Sequence, residues 1–147
     1  MAYPQVAAIV PNFDVVSFMA GTNLSASEAV GMGVKKLALS SPYSDEQLDV
    51  MMKVTEHSSE RFGTIYLPET NLLESKLFPR AIARGKTEVL IAHDQTVLDE
   101  YAALKELKKE SDTNGNPDEM ELEIAWRFGR LLSYDDEGIE RLIAKNG

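Results

Sequence analysis

Four short apolar segments, separated by longer amphipathic stretches, dominate residues 1–94 and constrain the fold of this chain most strongly. They cover residues 6–10, 34–40, 64–69 and 88–92. Apolar runs of this length, bounded by glycine or proline, are typical of buried strands, whereas the stretches between them repeat apolar residues at helical spacing. Strands that alternate with helices favour βαβ crossovers and therefore a parallel sheet.

The predicted fold class is α/β, with a small, mainly parallel four-stranded sheet and flanking helices. After residue 94 the pattern is helical throughout, which predicts a C-terminal helical hairpin. The 147 residues are expected to form a single domain, with an α/β core over 1–94 and a helical cap over 95–147. The alternative is an α+β, ferredoxin-like arrangement, because the sequence does not determine the order of the strands.

The formal net charge of −9 argues against several classes of partner. Its acidic excess lies in the last third of the chain, and no basic stripe is present to bind nucleic acid or an anionic membrane surface. The chain has no cysteine and no apolar run long enough to cross a bilayer, so we expect a cytoplasmic protein. A small-molecule ligand is the expected partner. Exposed edges of a four-stranded sheet also predict a homo-oligomer.

Polar residues follow each predicted strand, at the edge where open α/β sheets bind their ligands. Among them, Glu69 and His93 are the candidate catalytic residues, since a half-buried carboxylate and an imidazole can both exchange protons near neutral pH. Residues expected to bind the substrate are Tyr66, Asn71, Arg80, Asn12 and Ser41.

The pair His93-Asp94 at the end of the fourth apolar run has two interpretations. Asp94 is expected to cap the next helix by accepting from the amide of Thr96 or Val97. Neighbouring strand residues point to opposite faces, so Asp94 is predicted to be poorly placed to orient the His93 ring. Glu69, from a neighbouring strand, is the more plausible carboxylate partner of His93. The alternative is that His93 only marks the end of a strand.

Residues 112–123 resemble the ligand spacing of a calcium-binding loop but are not expected to hold a metal. The sixth position of such a loop needs glycine, and Pro117 stands there with a fixed negative φ. An Asn-Gly turn followed by a helix capped by Asn116 explains the same residues without an ion. No phosphate-binding loop or dinucleotide fingerprint occurs, so no cofactor is expected either.

The leading functional hypothesis is a small enzyme that acts on a polar metabolite by acid/base catalysis, as a lyase, hydrolase or isomerase. The alternative is a non-catalytic regulatory or assembly subunit that works through protein contacts. Close, buried Glu69 and His93 side chains favour the enzyme, whereas scattered side chains beside an exposed apolar patch favour the subunit.

Overall fold

The computed structural model describes residues 3–78 and 85–147. Within these ranges the elements are α1 (Pro4–Ile9), α2 (Val15–Gly31), β1 (Leu37–Leu39), α3 (Asp45–Phe62), β2 (Ile65–Glu69), β3 (Glu88–Ala92), α4 (Gln95–Thr113), α5 (Asp118–Leu131) and α6 (Asp136–Asn146). The strands predicted within 34–40, 64–69 and 88–92 are confirmed. The sequence of residues 71–86 predicts a helix that is interrupted at Pro79, and this break lies outside the described residues.

The three strands form one antiparallel sheet in the order β1-β3-β2, so the predicted four-stranded, mainly parallel sheet is wrong. β1 and β2 run in the same direction, but β3 lies between them and runs in the opposite direction. The crossover helix α3 therefore joins two strands that are not neighbours. The ferredoxin-like alternative is wrong as well, because it needs four strands and the two described ranges contain three.

The segment 6–10, predicted to be the first strand, accounts for much of this error. Most of it lies in α1, a helix whose first turn contains Pro4. The fixed φ of proline suits that position, and Ala7 and Ala8 have high helix propensity. No residue of α1 is buried. The segment therefore lacks the sheet packing that overrides helix propensity in a real strand.

Residues of β3 alternate between two apolar clusters, which places the sheet in the middle of three layers. Val89 and Ile91 belong to the cluster formed with α2 and α3. Leu90 and Ala92 belong to the cluster formed with α4, α5 and α6. A strand buried on both faces needs a nearly continuous apolar run, which explains residues 89–92 of β3 but not Glu88 at its start. These sides of the sheet are called the α2–α3 face and the α4–α6 face below.

Helix α2 is continuous over 17 residues and passes through Gly21. The sequence predicts instead that this glycine ends one helix and that a second, short helix follows. Asp14 begins the helix by accepting from the amide of Val16 at 3.1 Å. A glycine inside a helix costs about 1 kcal/mol relative to alanine. Met19 and Val30 are buried on the α2–α3 face, and their burial offsets this cost.

The cap predicted for α4 is confirmed, and the cap predicted for α5 is wrong. Asp94 Oδ1 accepts from the amides of Thr96 at 3.0 Å and Val97 at 3.3 Å. At α5 the N-cap residue is Pro117, and no side chain caps the helix. Asn116 has a left-handed backbone, with φ of 56°. Its side-chain amide nitrogen donates instead to Asp112 Oδ1 at 2.5 Å.

The segment 71–78, predicted to be helical, has no regular secondary structure. Its side chains Leu73 and Leu77 are nevertheless buried in the cluster on the α4–α6 face. The amide of Leu73 donates to the Tyr101 hydroxyl at 3.0 Å, so a side chain of α4 replaces one helical hydrogen bond. Phe78 precedes a proline, which disfavours helical dihedrals at the end of the segment.

Candidate active site

A β-bulge in the ladder between β1 and β3 places two residues opposite Glu88. Ser40 pairs with Val89 through its amide, at 2.9 Å, and Tyr43 forms a bridge with Thr87. The two residues 41–42 therefore oppose the single residue Glu88. A bulge of this kind redirects the side chains of the longer strand, and such bulges are common beside active sites.

Glu69 pairs directly with Glu88 on the other side of β3. The Cβ atoms of directly opposite residues in an antiparallel ladder are about 5 Å apart, so the two carboxyl groups are neighbours. Strand alternation places Glu88 on the same face as Leu90 and Ala92, which is the α4–α6 face. Ser41, Glu88 and Glu69 thus form a polar row across the sheet, called the Ser41–Glu88–Glu69 row below.

The carboxylate of Glu69 is held by three donors from the same chain. Its Oε1 accepts from the amide of Asn71 at 2.9 Å. Its Oε2 accepts from the Tyr101 hydroxyl at 3.1 Å and from Lys105 Nζ at 2.9 Å. The side chain of Glu69 is 12% exposed, so these contacts are largely sheltered from water. Glu69 is therefore fixed in position by helix α4 and the start of the 71–78 segment.

Glu88 differs from Glu69 because its carboxyl group makes no hydrogen bond or ion pair with any residue the structure describes. The residue is only 6% exposed. Burial without a compensating partner raises the pKa of Glu88 to about 7. Burial raises the pKa of the nearby Tyr101 hydroxyl, and the negative charges of Glu69 and Glu88 raise it further.

Ser41 supplies a second unsatisfied group at the other end of the row. Its Oγ is buried and has no hydrogen-bond partner in residues 3–78 and 85–147. Pro42 restricts Ser41 to extended dihedrals, which suits its position in the bulge. The Ser41 hydroxyl and the Glu88 carboxyl group lie on adjacent strands, and neither has a partner among the described residues. Such groups are expected where a polar ligand or an ordered water binds.

The structure brings three of the predicted site residues together. Glu69 and Ser41 belong to the polar row, and Asn71 contributes backbone groups, since its carbonyl oxygen accepts from Lys105 Nζ at 2.8 Å. The predicted pair of Glu69 and His93 is not formed. His93 follows the last residue of β3, five positions beyond Glu88, which corresponds to about 17 Å along the strand.

His93 contacts Asp94 instead, which contradicts the predicted orientation of the pair. Its Nδ1 lies 3.1 Å from Asp94 Oδ2, and the two side chains are 49% and 51% exposed. The alternation rule fails here because β3 has already ended at Ala92. Hydrogen bonds from the Thr96 hydroxyl and from His93 lower the pKa of Asp94 to about 2. The contact stabilises an exposed cap, far from the polar row.

The other predicted binding residues do not reach this row within the described structure. Tyr66 packs against the cluster on the α2–α3 face, behind the sheet. Asn12 is exposed, with a left-handed φ of 54°, in the turn between α1 and α2. Arg80 lies outside the described residues.

Sequence analysis missed Glu88, Tyr101 and Lys105. The sequence could have indicated Glu88, because a charged residue at the start of a fully buried strand needs a special environment. Tyr101 and Lys105 are one turn apart on α4 and therefore share a helix face. Nothing in the sequence indicates that this face meets β2 and β3.

No group of three or more histidine, aspartate or glutamate side chains in the described ranges is placed to hold a metal ion. Every described helix is too short or too polar to cross a membrane. Comparison of the chain with known protein families, curated proteins and solved structures gives no match. Function is therefore inferred from the chemistry of the polar row.

Proposed function

We propose that the protein is a small enzyme that acts on a polar metabolite by acid/base catalysis, as a lyase, hydrolase or isomerase. Glu88 transfers the proton, and Glu69 is its carboxylate neighbour. The observation that carries the proposal is the carboxyl group of the buried residue Glu88, which has no partner in the described part of the chain. It lies directly opposite Glu69, whose carboxylate is held by three hydrogen bonds. Two carboxyl groups whose environments set their pKa values apart are typical of sites that transfer protons.

The two carboxyl groups have different roles in this proposal. A pKa of about 7 lets Glu88 release or accept a proton at neutral pH, where general acid/base catalysis is most efficient. The Glu69 carboxylate accepts hydrogen bonds from the Tyr101 hydroxyl and from Lys105 Nζ. Glu69 therefore acts as a positioning residue that holds a negative charge beside Glu88. Glu88 replaces His93 as the proposed proton-transfer partner of Glu69.

The proposal includes a cytoplasmic location and a small-molecule ligand rather than nucleic acid. The absence of cysteine suits a reducing compartment, and the net charge of −9 opposes binding to phosphate backbones.

Turnover of a library of polar metabolites, followed by NMR, tests the proposal. With a substrate found, Glu88→Gln should lower kcat by a factor of about 100 or more, because it keeps the shape and removes the transferable proton. The matched control is Glu100→Gln, which changes an exposed glutamate on α4 and should leave turnover unchanged. Wild-type turnover in the Glu88→Gln enzyme would remove Glu88 from the mechanism.

A second candidate function is a non-catalytic assembly subunit that forms a homo-oligomer. It is favoured by two large apolar side chains between α2 and β1, since Met32 is 73% and Val34 71% exposed. Light scattering of the wild type and of the Met32→Ser/Val34→Ser variant tests it. This function predicts an oligomer that the double variant dissociates, and a wild-type monomer at micromolar concentration contradicts it.

A further inference from the structure

We propose that the Ser41–Glu88–Glu69 row binds the primary ammonium group of the substrate. This inference rests on the proposed function, because it assigns a chemical class to the ligand of the same site. It is carried by two groups on adjacent strands that have no hydrogen-bond partner among the described residues, beside a carboxylate that is already paired. They are the buried Ser41 Oγ and the carboxyl group of Glu88, a residue that is only 6% exposed.

The hydrogen-bonding groups of the row match the donors of an ammonium ion. A primary ammonium has three N–H donors and no acceptor. Ser41 Oγ and the oxygens of Glu88 can each accept one of them, and neither group has another partner among the described residues. The bulge places Ser41 and Pro42 opposite Glu88 in the ladder, so the two acceptors lie on adjacent strands at the same position along the sheet.

The charges around Glu88 also favour a cation. Within residues 3–78 and 85–147, the charged and titratable groups beside it are Glu69 on β2 and Tyr101 on α4, with Lys105 behind Glu69. Lys105 Nζ is engaged by Glu69 at 2.9 Å and by the Asn71 carbonyl at 2.8 Å. The ion pair of Lys105 and Glu69 is neutral overall, so Glu88 has no counter-ion among the residues that the structure describes.

Lys86 does not fill this role, although it lies two residues before Glu88. Its side chain is exposed and makes no ion pair with any residue in the described ranges. A ligand cation therefore removes the cost of burying an unpaired carboxylate, whereas a ligand anion adds to it.

Proton balance follows from the protonation of Glu88 in the free protein. When an ammonium ion binds, the carboxyl proton leaves to solvent and an ion pair remains. When the neutral amine binds, the same proton moves from Glu88 to the amine nitrogen. Either route yields the same ammonium–carboxylate pair, and no covalent bond to carbon is formed or broken.

NMR titration of the full chain with ethanolamine tests the inference, with ethylene glycol and glycolate as neutral and anionic probes of similar size. Ethanolamine should shift the amide signals of Ser41, Glu69 and Glu88 in a saturable manner at neutral pH. Ethylene glycol and glycolate should shift them at least about tenfold more weakly. Equal or stronger shifts with either control probe would overturn the assignment of an ammonium ligand.

Variants of the row provide the second arm of this test. Glu88→Gln and Ser41→Ala should each weaken ethanolamine binding by about tenfold or more, since each removes one acceptor. The matched controls are Glu100→Gln and Ser25→Ala, which change exposed residues and should leave binding unchanged. Unaltered binding in both row variants, with dispersed NMR spectra that show intact folds, would also overturn the inference.

The outcomes of the two proposals are distinguishable. If ethanolamine fails to bind while Glu88→Gln still abolishes turnover of a metabolite, the ammonium ligand is wrong and the acid/base site stands. If ethanolamine binds through Glu88 and turnover is independent of Glu88, the row is a binding site and the catalytic function is wrong.

Discussion

Glu69 and Glu88 are paired directly across strands β2 and β3, with both carboxyl groups on the face covered by helix α4. Like charges in directly opposite positions destabilise a sheet. Here Lys105 contacts Glu69, while burial raises the pKa of Glu88 to about 7. The protein therefore tolerates the pair by neutralising each carboxyl group in a different way. This arrangement should affect the free energy of unfolding.

We predict that the free energy of unfolding decreases as the pH rises from 4.5 to 7 because of Glu88. Below this range the carboxyl group is protonated in both states. Within it the unfolded chain loses the proton at the ordinary pKa of 4.5, while the folded chain keeps it up to about 7. The accumulated loss is at most about 3 kcal/mol. Urea denaturation across this pH range measures it.

Glu88→Gln should remove this pH dependence, because the amide does not titrate. The variant should gain stability relative to the wild type as the pH rises, with the full difference reached above pH 7. Glu100→Gln, an exposed change on α4, is the control and should follow the wild-type profile. Parallel profiles for the wild type and Glu88→Gln would show that Glu88 ionises equally in both states.

Tyr101→Phe should destabilise the protein by about 1–3 kcal/mol, which is the cost of leaving a buried polar group unsatisfied. The Tyr101 hydroxyl donates to Glu69 at 3.1 Å and accepts from the amide of Leu73 at 3.0 Å. Its removal leaves the buried Leu73 amide without a partner. Urea denaturation measures the loss of stability, and the Leu73 amide should exchange its hydrogen with solvent faster in the variant.

Tyr66→Phe is the matched control for this substitution. The Tyr66 ring is half-buried on the opposite face of the sheet, and its hydroxyl makes no hydrogen bond to a described residue. Its loss should change the free energy of unfolding by less than about 0.5 kcal/mol. A loss of less than about 0.5 kcal/mol in Tyr101→Phe as well would mean that packing of the ring, which phenylalanine retains, connects α4 to the 71–78 segment, and not the Tyr101 hydroxyl.

The elements that were predicted correctly are mainly those that interactions between residues close in sequence stabilise. The Asp94 cap is confirmed. The sequence also predicts that Gly63 ends α3, and this is confirmed, because glycine readily adopts the positive φ of 69° found there. The strand at 88–92 is confirmed because burial on both faces produces a distinctive run. Segment 6–10 is equally apolar but unburied, and no local pattern separates these two cases.

The candidate site was predictable only in part, because it is assembled by strand order. Glu69 and Ser41 were identified from their positions after strands, although the rule used assumes a parallel sheet. The antiparallel insertion of β3 brings the start of that strand, at Glu88, beside the end of β2. The same insertion moves His93 to the far end of the sheet. Strand order is a long-range property, so the sequence could not distinguish Glu88 from His93.

Calcium at millimolar concentration should leave the melting temperature unchanged. The first ligand position of the loop, Asp112, already contacts Lys108 Nζ at 3.3 Å and the Asn116 amide at 2.5 Å. The last, Glu123, lies 3.7 Å from Arg127. Binding at a hundredfold excess over Kd would add about 2.7 kcal/mol of stability. A rise in Tm that a chelator reverses would therefore show that the loop does bind calcium.

Alanine substitutions of two helical glycines should have opposite effects on stability. In α5, a Cβ on Gly129 would lie 2.6 Å from Cγ1 of Ile139, which is fully buried, so Gly129→Ala should cost about 1–3 kcal/mol by overpacking the contact between α5 and α6. In α2, a Cβ on Gly21 would meet no atom within 4 Å. Gly21→Ala should therefore add about 1 kcal/mol through helix propensity alone. Urea denaturation of both variants measures the difference, and a stabilising Gly129→Ala would mean that α6 does not pack against α5 at this point.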